Sequence, residues 1–100
     1  MVKCGLVVRM RAKPGKETEV AEFLAGAQAM AAAERFMPAW LALRAQNGEF
    51  LIVDAFGDES GRELHLSGSI AQTLMRRAPE LFDGQPHIEK VDVIAAKLEF

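Results

Sequence analysis

The stretch AWLALRAQNGEFLIVDAF, residues 39–56, decides the fold of this 100-residue chain. On each side of Asn47-Gly48, every second residue is apolar and the residues between them are of mixed type. This alternation is typical of β-strands, so the stretch predicts two of them. Asn and Gly both tolerate the positive φ angles of a type I′ turn, so this dipeptide predicts a tight hairpin. We therefore expect the two strands to pair antiparallel.

The segments around the hairpin predict one more strand on each side and helices between the strands. Residues 5–12 alternate like a strand, and apolar positions recur at helical spacing after Pro14-Gly15 until Pro38. Downstream, Asp58 or Ser60 can cap a short helix, residues 69–81 predict another, and residues 88–98 predict a last strand. This order is the split βαβ pattern of an α+β, ferredoxin-like fold, with helices on one face of an antiparallel sheet. We expect one domain over residues 1–100.

The two phases of each predicted strand differ in polarity. One phase is wholly apolar and is expected to face the helices; it comprises Leu6, Val8, Met10, Leu41, Leu43, Leu51, Val53, Ala55, Val91, Val93 and Ala95. The other phase mixes polar and aromatic groups and would expose Trp40, Phe50, Ile52, Phe56 and Ile94 on the far face. Monomers seldom leave such a patch uncovered, so we expect a homodimer with a small-ligand pocket on that face.

Composition excludes several classes of partner. A net charge of -2 and a pI near 5.7 give no basic surface for nucleic acid. No apolar run is long enough to span a membrane, and no leader can be fitted to the first residues, so we expect a cytoplasmic protein. One cysteine and two histidines without ligand spacing predict no metal site.

Three stretches resemble the antibiotic biosynthesis monooxygenase family of dimeric α/β barrels. FLIVDAFGDESGRELHL (residues 50–66) resembles that family's third strand and the histidine-bearing helix after it, with Asp54, Phe56 and His65 in matching positions. VRMRAKPGKETEVAEFL (8–24) resembles its first strand, turn and helix, and LMRRAPELFDGQPHIEKVDVIAAKL (74–98) resembles the tail of its quinol-oxidising or function-unassigned members. The resemblance implies a cofactor-independent monooxygenase that oxidises a small aromatic quinol- or anthrone-like substrate with O2.

The resemblance also suggests roles for individual residues. His65 and Asp54 are the candidate catalytic groups, with His65 as the base because its ordinary pKa lies near working pH. The candidate substrate-binding residues, as phenolate partners or walls of an aromatic slot, are Arg9, Arg44, Trp40, Phe50 and Phe56.

A structural reading stays open beside the catalytic one. The His65 ring can simply bond a backbone group or Asp54, and Asp54 can pair with Arg9 or Arg44. Trp40 and Phe56 can be packing groups. The alternative function is a non-catalytic ligand-binding or structural dimer, or an isomerase that uses His65.

Overall fold

The computed structural model describes residues 1–98, which form four strands and three helices. Their bounds are β1 Cys4–Arg11, α1 Glu17–Ala33, β2 Ala39–Arg44, β3 Glu49–Phe56, α2 Glu59–Leu66, α3 Ser69–Leu81 and β4 His87–Asp92. The strands form one antiparallel sheet in the order β2-β3-β1-β4. The predicted α+β, ferredoxin-like fold is confirmed. No helix within residues 1–98 is long and apolar enough to cross a membrane.

The predicted hairpin joins β2 to β3. Asn47 and Gly48 have φ angles of 61° and 76°, and the Glu49 N–H donates to the Gln46 carbonyl at 3.3 Å. Both central residues of the turn thus adopt the positive φ that a type I′ turn requires. The turn fixes the register in which Trp40 lies opposite Asp54.

The helices form where the spacing of apolar residues predicts them. In α3 the four expected core residues, Ile70, Leu74, Ala78 and Leu81, are all buried. Asp58 caps α2, and its carboxylate accepts a hydrogen bond from the Gly61 N–H at 3.0 Å. The last strand is shorter than expected, because β4 ends at Asp92 and not near residue 98.

The assignment of sheet faces is correct for β1 and wrong for β2, β3 and β4; in β4, Val91 lies opposite Gly5 on the face away from the helices. Leu6 lies opposite Asp54 and Met10 opposite Phe50 on neighbouring strands, so these pairs share the helix-covered face. Phe50 and Phe56 are therefore buried under the helices, not exposed on the far side.

The surface that the helices leave bare, here called the open face, also differs from expectation. It carries Val7, Arg9, Leu41, Leu43, Leu51 and Val53. Leu41 and Leu43 are 49% and 43% exposed. Ile94 is exposed beyond the end of β4. An uncovered apolar surface thus exists, but the residues that β2 and β3 contribute to it belong to the phase that was expected in the core.

Candidate functional site

Three ionisable side chains meet under the helices. His65 on α2 lies between Glu34, which follows α1, and Asp54 on β3. The His65 Nδ1 atom is 2.6 Å from Glu34 Oε1, and Nε2 is 3.3 Å from Asp54 Oδ2. The exposed fractions of the side chains are 11% for Glu34, 7% for His65 and 0% for Asp54. The arrangement is a buried imidazole flanked by two carboxyl groups.

Helix α2 can place His65 there because one of its faces lies close to the sheet. Gly61, Arg62 and His65 are its buried residues, and positions 61 and 65 are one turn apart. A Cβ atom at Gly61 would lie 3.1 Å from the Phe36 carbonyl oxygen and 3.6 Å from Phe56 side-chain atoms. The missing side chain at Gly61 therefore permits the close approach that brings His65 to Asp54.

The two carboxyl groups change the protonation of His65. Burial, the largest single influence, lowers the pKa of His65, but the contacts with Asp54 and Glu34 together raise that pKa above its ordinary value of 6.5. The position of His65 in the last turn of α2 also favours the imidazolium, because a helix carries partial negative charge at its C-terminus. The site therefore holds a proton more strongly than a free imidazole does.

Two of the buried groups keep unused hydrogen-bonding capacity. Both Asp54 carboxyl oxygens and the Trp40 Nε1–H lack an aligned protein partner, although Asp54 Oδ2 is within ion-pair distance of His65. Trp40 and Asp54 are directly opposite in the β2–β3 pairing and point to the same side of the sheet. The pair presents an acceptor and a donor side by side. A hydroxyl group, which both donates and accepts, can satisfy it.

Trp40 also borders a cavity of about 390 Å³. Its other walls include Gln28 and Ala31 on α1 and the segment Met37–Ala39 that leads into β2. A volume of this size is at the lower end of small-molecule pockets. Trp40 thus borders this cavity and lies opposite Asp54 in the sheet, whereas Asp54 itself does not line the cavity.

The other predicted site residues divide into two groups. The Phe56 ring lies 5.6 Å from the His65 ring, so Phe56 belongs to the cluster. Phe50 is buried in a core group with Val8, and the Arg44 guanidinium lies 5.2 Å from the Phe50 ring centroid.

The expected pairing of Asp54 with an arginine is wrong. Arg44 stacks on Phe50, and its NH2 group donates to the Glu17 carbonyl at 3.5 Å. Arg9 is exposed on the open face, the opposite side of the sheet from Asp54. The partner of Asp54 is His65, as the structural reading of the sequence allowed.

Sequence reasoning did not single out two polar residues at the site, the half-buried Glu34 and the buried Arg62. An acidic residue at the C-terminal end of a helix opposes the helix dipole, so Glu34 after the alanine-rich end of α1 carried a usable signal. Arg62 lies on α2 and donates to the carbonyls of Gly5 and Val91, each at 3.3 Å. It ties α2 to the sheet beside the cluster.

The cluster does not have the geometry of a metal site. Within residues 1–98, no group of three His, Cys, Asp or Glu side chains could hold a metal ion. The reason here is that the imidazole separates the two carboxyl groups, which contact opposite ring nitrogens and do not converge on one point.

Comparison with known proteins relates the chain to a solved structure. No family model and no curated protein matches the chain. A solved structure, the NE2512 protein of unknown function from Nitrosomonas europaea, is 48% identical, with a TM-score of 0.96 over 100% of this chain and 97% of that one. The chain belongs to the NE2512 family.

More distant structures share the fold of the NE2512 family. One, from Caulobacter crescentus and named as a candidate antibiotic biosynthesis monooxygenase, has a TM-score of 0.80 at 16% identity over 94% of this chain and 92% of that one. Another, named antibiotic biosynthesis monooxygenase, has a TM-score of 0.78 at 13% identity over 92% of this chain and 99% of that one. At such identities the likeness is one of fold.

Proposed function

We propose that this chain is a cofactor-independent monooxygenase that oxidises a small aromatic quinol- or anthrone-like molecule with O2. The observation that carries the proposal is the buried carboxylate of Asp54, which lies at ion-pair distance from His65 but accepts no aligned hydrogen bond, opposite the Trp40 Nε1–H, which also lacks a hydrogen-bond partner. The fold shared with proteins named antibiotic biosynthesis monooxygenase supports the same class of reaction.

The chemistry begins with removal of a proton from the substrate hydroxyl. That hydroxyl donates to Asp54 and accepts from Trp40 Nε1–H, and its proton passes through Asp54 to His65 Nε2. The resulting phenolate is electron-rich and transfers electrons to O2. A peroxide forms on a ring carbon and takes up the proton stored on His65. The C–H bond of that carbon and the O–O bond then break: one oxygen atom stays on the carbon as a carbonyl, and the other leaves as water with the C–H proton. The substrate is thereby oxidised and O2 is reduced. His65 is the proton store in this scheme, and Asp54 is the group that touches the substrate.

The proposal includes a homodimer formed through the open face. Leu41 and Leu43 on the edge strand β2 are exposed, and Val7, Leu51 and Val53 extend the apolar surface across β3 and β1. A second copy of the chain would cover this surface with the same surface of its own. Gel filtration with light scattering should give the dimer mass, and Leu43→Glu should give the monomer mass. A monomeric wild-type protein would contradict the dimer without touching the oxygenase proposal.

Oxygen consumption tests the reaction directly. Purified protein is assayed with hydroquinones and anthrones under ¹⁸O2, with autoxidation subtracted and the product analysed by mass spectrometry. We expect one ¹⁸O atom per product molecule and at least about 100-fold lower activity in Asp54→Asn, because general-base catalysis contributes about 10²–10⁴-fold. The matched control is His87→Gln, since His87 is exposed on β4. Full activity in Asp54→Asn would show that Asp54 does not remove the substrate proton.

The second candidate function is that of a non-catalytic binding protein. One observation supports this candidate, namely the contacts of the His65 ring. Both ring nitrogens contact carboxyl groups, which is also how a purely structural histidine is satisfied. Such a protein would quench or shift Trp40 fluorescence on binding aromatic hydroxy compounds without consuming O2. An oxygen-independent isomerase would instead exchange substrate hydrogen with solvent under anaerobic conditions.

A further inference from the structure

We infer that Glu34 is a positioning residue: it holds His65 in the tautomer whose Nε2 atom is free to accept a proton from Asp54, and it stabilises the imidazolium that forms. The use of that proton in a reaction rests on the proposed function. The tautomer and protonation of the His65 ring are independent of the proposed function, because they follow from contacts within the chain.

The lengths of the two contacts assign the tautomer. An ionised carboxylate has only acceptors, so a contact of 2.6 Å between Glu34 Oε1 and His65 Nδ1 requires the hydrogen on Nδ1. The contact between Nε2 and Asp54 Oδ2 is longer, at 3.3 Å, and is not an aligned hydrogen bond. In the neutral ring the single proton therefore resides on the Glu34 side, and the lone pair of Nε2 faces Asp54.

The second carboxyl oxygen of Glu34 lies near the start of another helix. A Cβ atom at Gly68 would lie 3.4 Å from Glu34 Oε2, so the second carboxyl oxygen lies beside Gly68, the N-cap residue of α3. The partial positive charge at that helix terminus favours a carboxylate nearby. Glu34 thus lies between the start of α3 and the His65 ring, and only 11% of its side chain is exposed.

The charges around the ring come from separate elements. Glu34 approaches from the end of α1 and Asp54 from β3. Arg62, on the same helix as His65, is directed to the carbonyls of Gly5 and Val91 and to Glu59. Within the described residues, the charges placed against the imidazole are therefore the two carboxylates.

The proton balance closes within one turnover of the proposed reaction. The substrate O–H bond breaks and its proton passes through Asp54 to His65 Nε2, while the Nδ1–H remains bonded to Glu34. That proton later returns through Asp54 to the outer oxygen of the peroxide formed on the ring carbon. When the O–O bond breaks, this oxygen leaves as water with that proton and with the proton released from the C–H bond of the same carbon. Glu34 carries no proton in this cycle; it keeps the ring oriented and makes His65 a stronger base.

The test compares Glu34→Gln with Glu34→Leu by ¹⁵N NMR of the histidine ring in protein without substrate. Gln can still accept the Nδ1–H through its amide oxygen but lacks the charge, so we expect the tautomer to persist and proton binding by His65 to weaken about tenfold. Leu provides neither group, so we expect loss of the Nδ1–H preference as well. Glu22→Gln, at an exposed position on α1, is the control and should leave His65 unchanged.

The outcomes separate this inference from the proposed function. If His65 in Glu34→Gln binds protons as in the wild type, the inference is overturned whatever the protein does with O2. If the NMR changes occur as expected but no substrate is oxidised, the role of Glu34 in setting His65 stands and the oxygenase proposal fails. In an active enzyme, Glu34→Gln should also displace the acid limb of the kcat/KM profile to lower pH, while Glu22→Gln leaves it in place. An unmoved limb would contradict the positioning role.

Discussion

Replacement of His65 by glutamine should destabilise the protein because it removes the positive charge between two carboxyl groups. The Asp54 carboxylate is fully buried, and its charged neighbour lies 3.3 Å away. Two unit charges at that separation and an effective dielectric constant of about 20 attract by about 5 kcal/mol. Desolvation of both groups offsets part of this attraction, as it does for other buried ion pairs.

Protonation of the orphaned carboxyl group limits the loss. A free aspartate side chain has a pKa of about 3.9, so protonating one at pH 6 costs about 3 kcal/mol, and at pH 5 about 1.5 kcal/mol. We therefore expect His65→Gln to lower the free energy of unfolding by about 3 kcal/mol at pH 6 and by about half as much at pH 5. At a urea m-value of about 1.5 kcal/mol/M, the first figure lowers the urea midpoint by about 2 M.

Urea titrations followed by the fluorescence of Trp40, the single tryptophan, measure these changes. His87→Gln is the matched control and should stay within about 0.5 kcal/mol of the wild type, because His87 is exposed. Adding Asp54→Asn to His65→Gln should restore the part of the lost stability that comes from Asp54, since the fully buried carboxylate is then gone and only Glu34 lacks its histidine partner. A loss that is the same at pH 5 and pH 6, or a double variant as unstable as the single one, would refute this electrostatic explanation.

Three further predictions test the surroundings of the site. The pKa of His65 is raised in the folded protein, so the stabilising contribution of His65 is complete below the ordinary pKa of 6.5 and is lost as pH rises through the folded-state pKa. The urea midpoint of the wild type should therefore fall over that pH interval. The midpoint of His65→Gln should not. Gly5→Ala should cost about 1–3 kcal/mol in urea titrations, because the added Cβ would overlap the backbone carbonyl of Asp54, whereas Gly57→Ala meets only ordinary contacts. Asp58→Ala should lower the melting temperature more than Asp58→Asn, because asparagine can still cap α2.

Local rules were sufficient for most of the fold. The type I′ turn, the cap at Asp58 and the buried stripe of α3 each depend on residues within one turn of one another, and all three were confirmed. The His65–Asp54 contact was also within reach, because the two residues are only 11 positions apart on adjacent elements. Glu34 is 31 positions from His65, and their contact depends on where α1 ends relative to α2. Tertiary packing alone fixes that relation.

The inverted faces of β2 and β3 have one cause, and it is the candidate site itself. Sorting strand phases by polarity assigns the phase with Asp54 to the outside, because a carboxylate costs free energy when it is buried. The same phase carries Phe50, Ile52 and Phe56, whose bulk the helices bury. Because the hairpin fixes the register, the error in β3 also misplaces Trp40.

A buried carboxylate with no aligned hydrogen bond is a defect in a purely structural core, and ordinary selection for stability would replace it with an apolar residue. Here the surrounding structure accommodates it: His65 supplies a compensating proton, Glu34 orients that histidine, and Gly61 lets α2 come close enough. Several elements thus maintain one group that packing alone would disfavour, as expected where local rules yield to function. Asp54, whose burial makes the assignment of strand faces by polarity fail, is therefore also the residue on which the proposed chemistry depends.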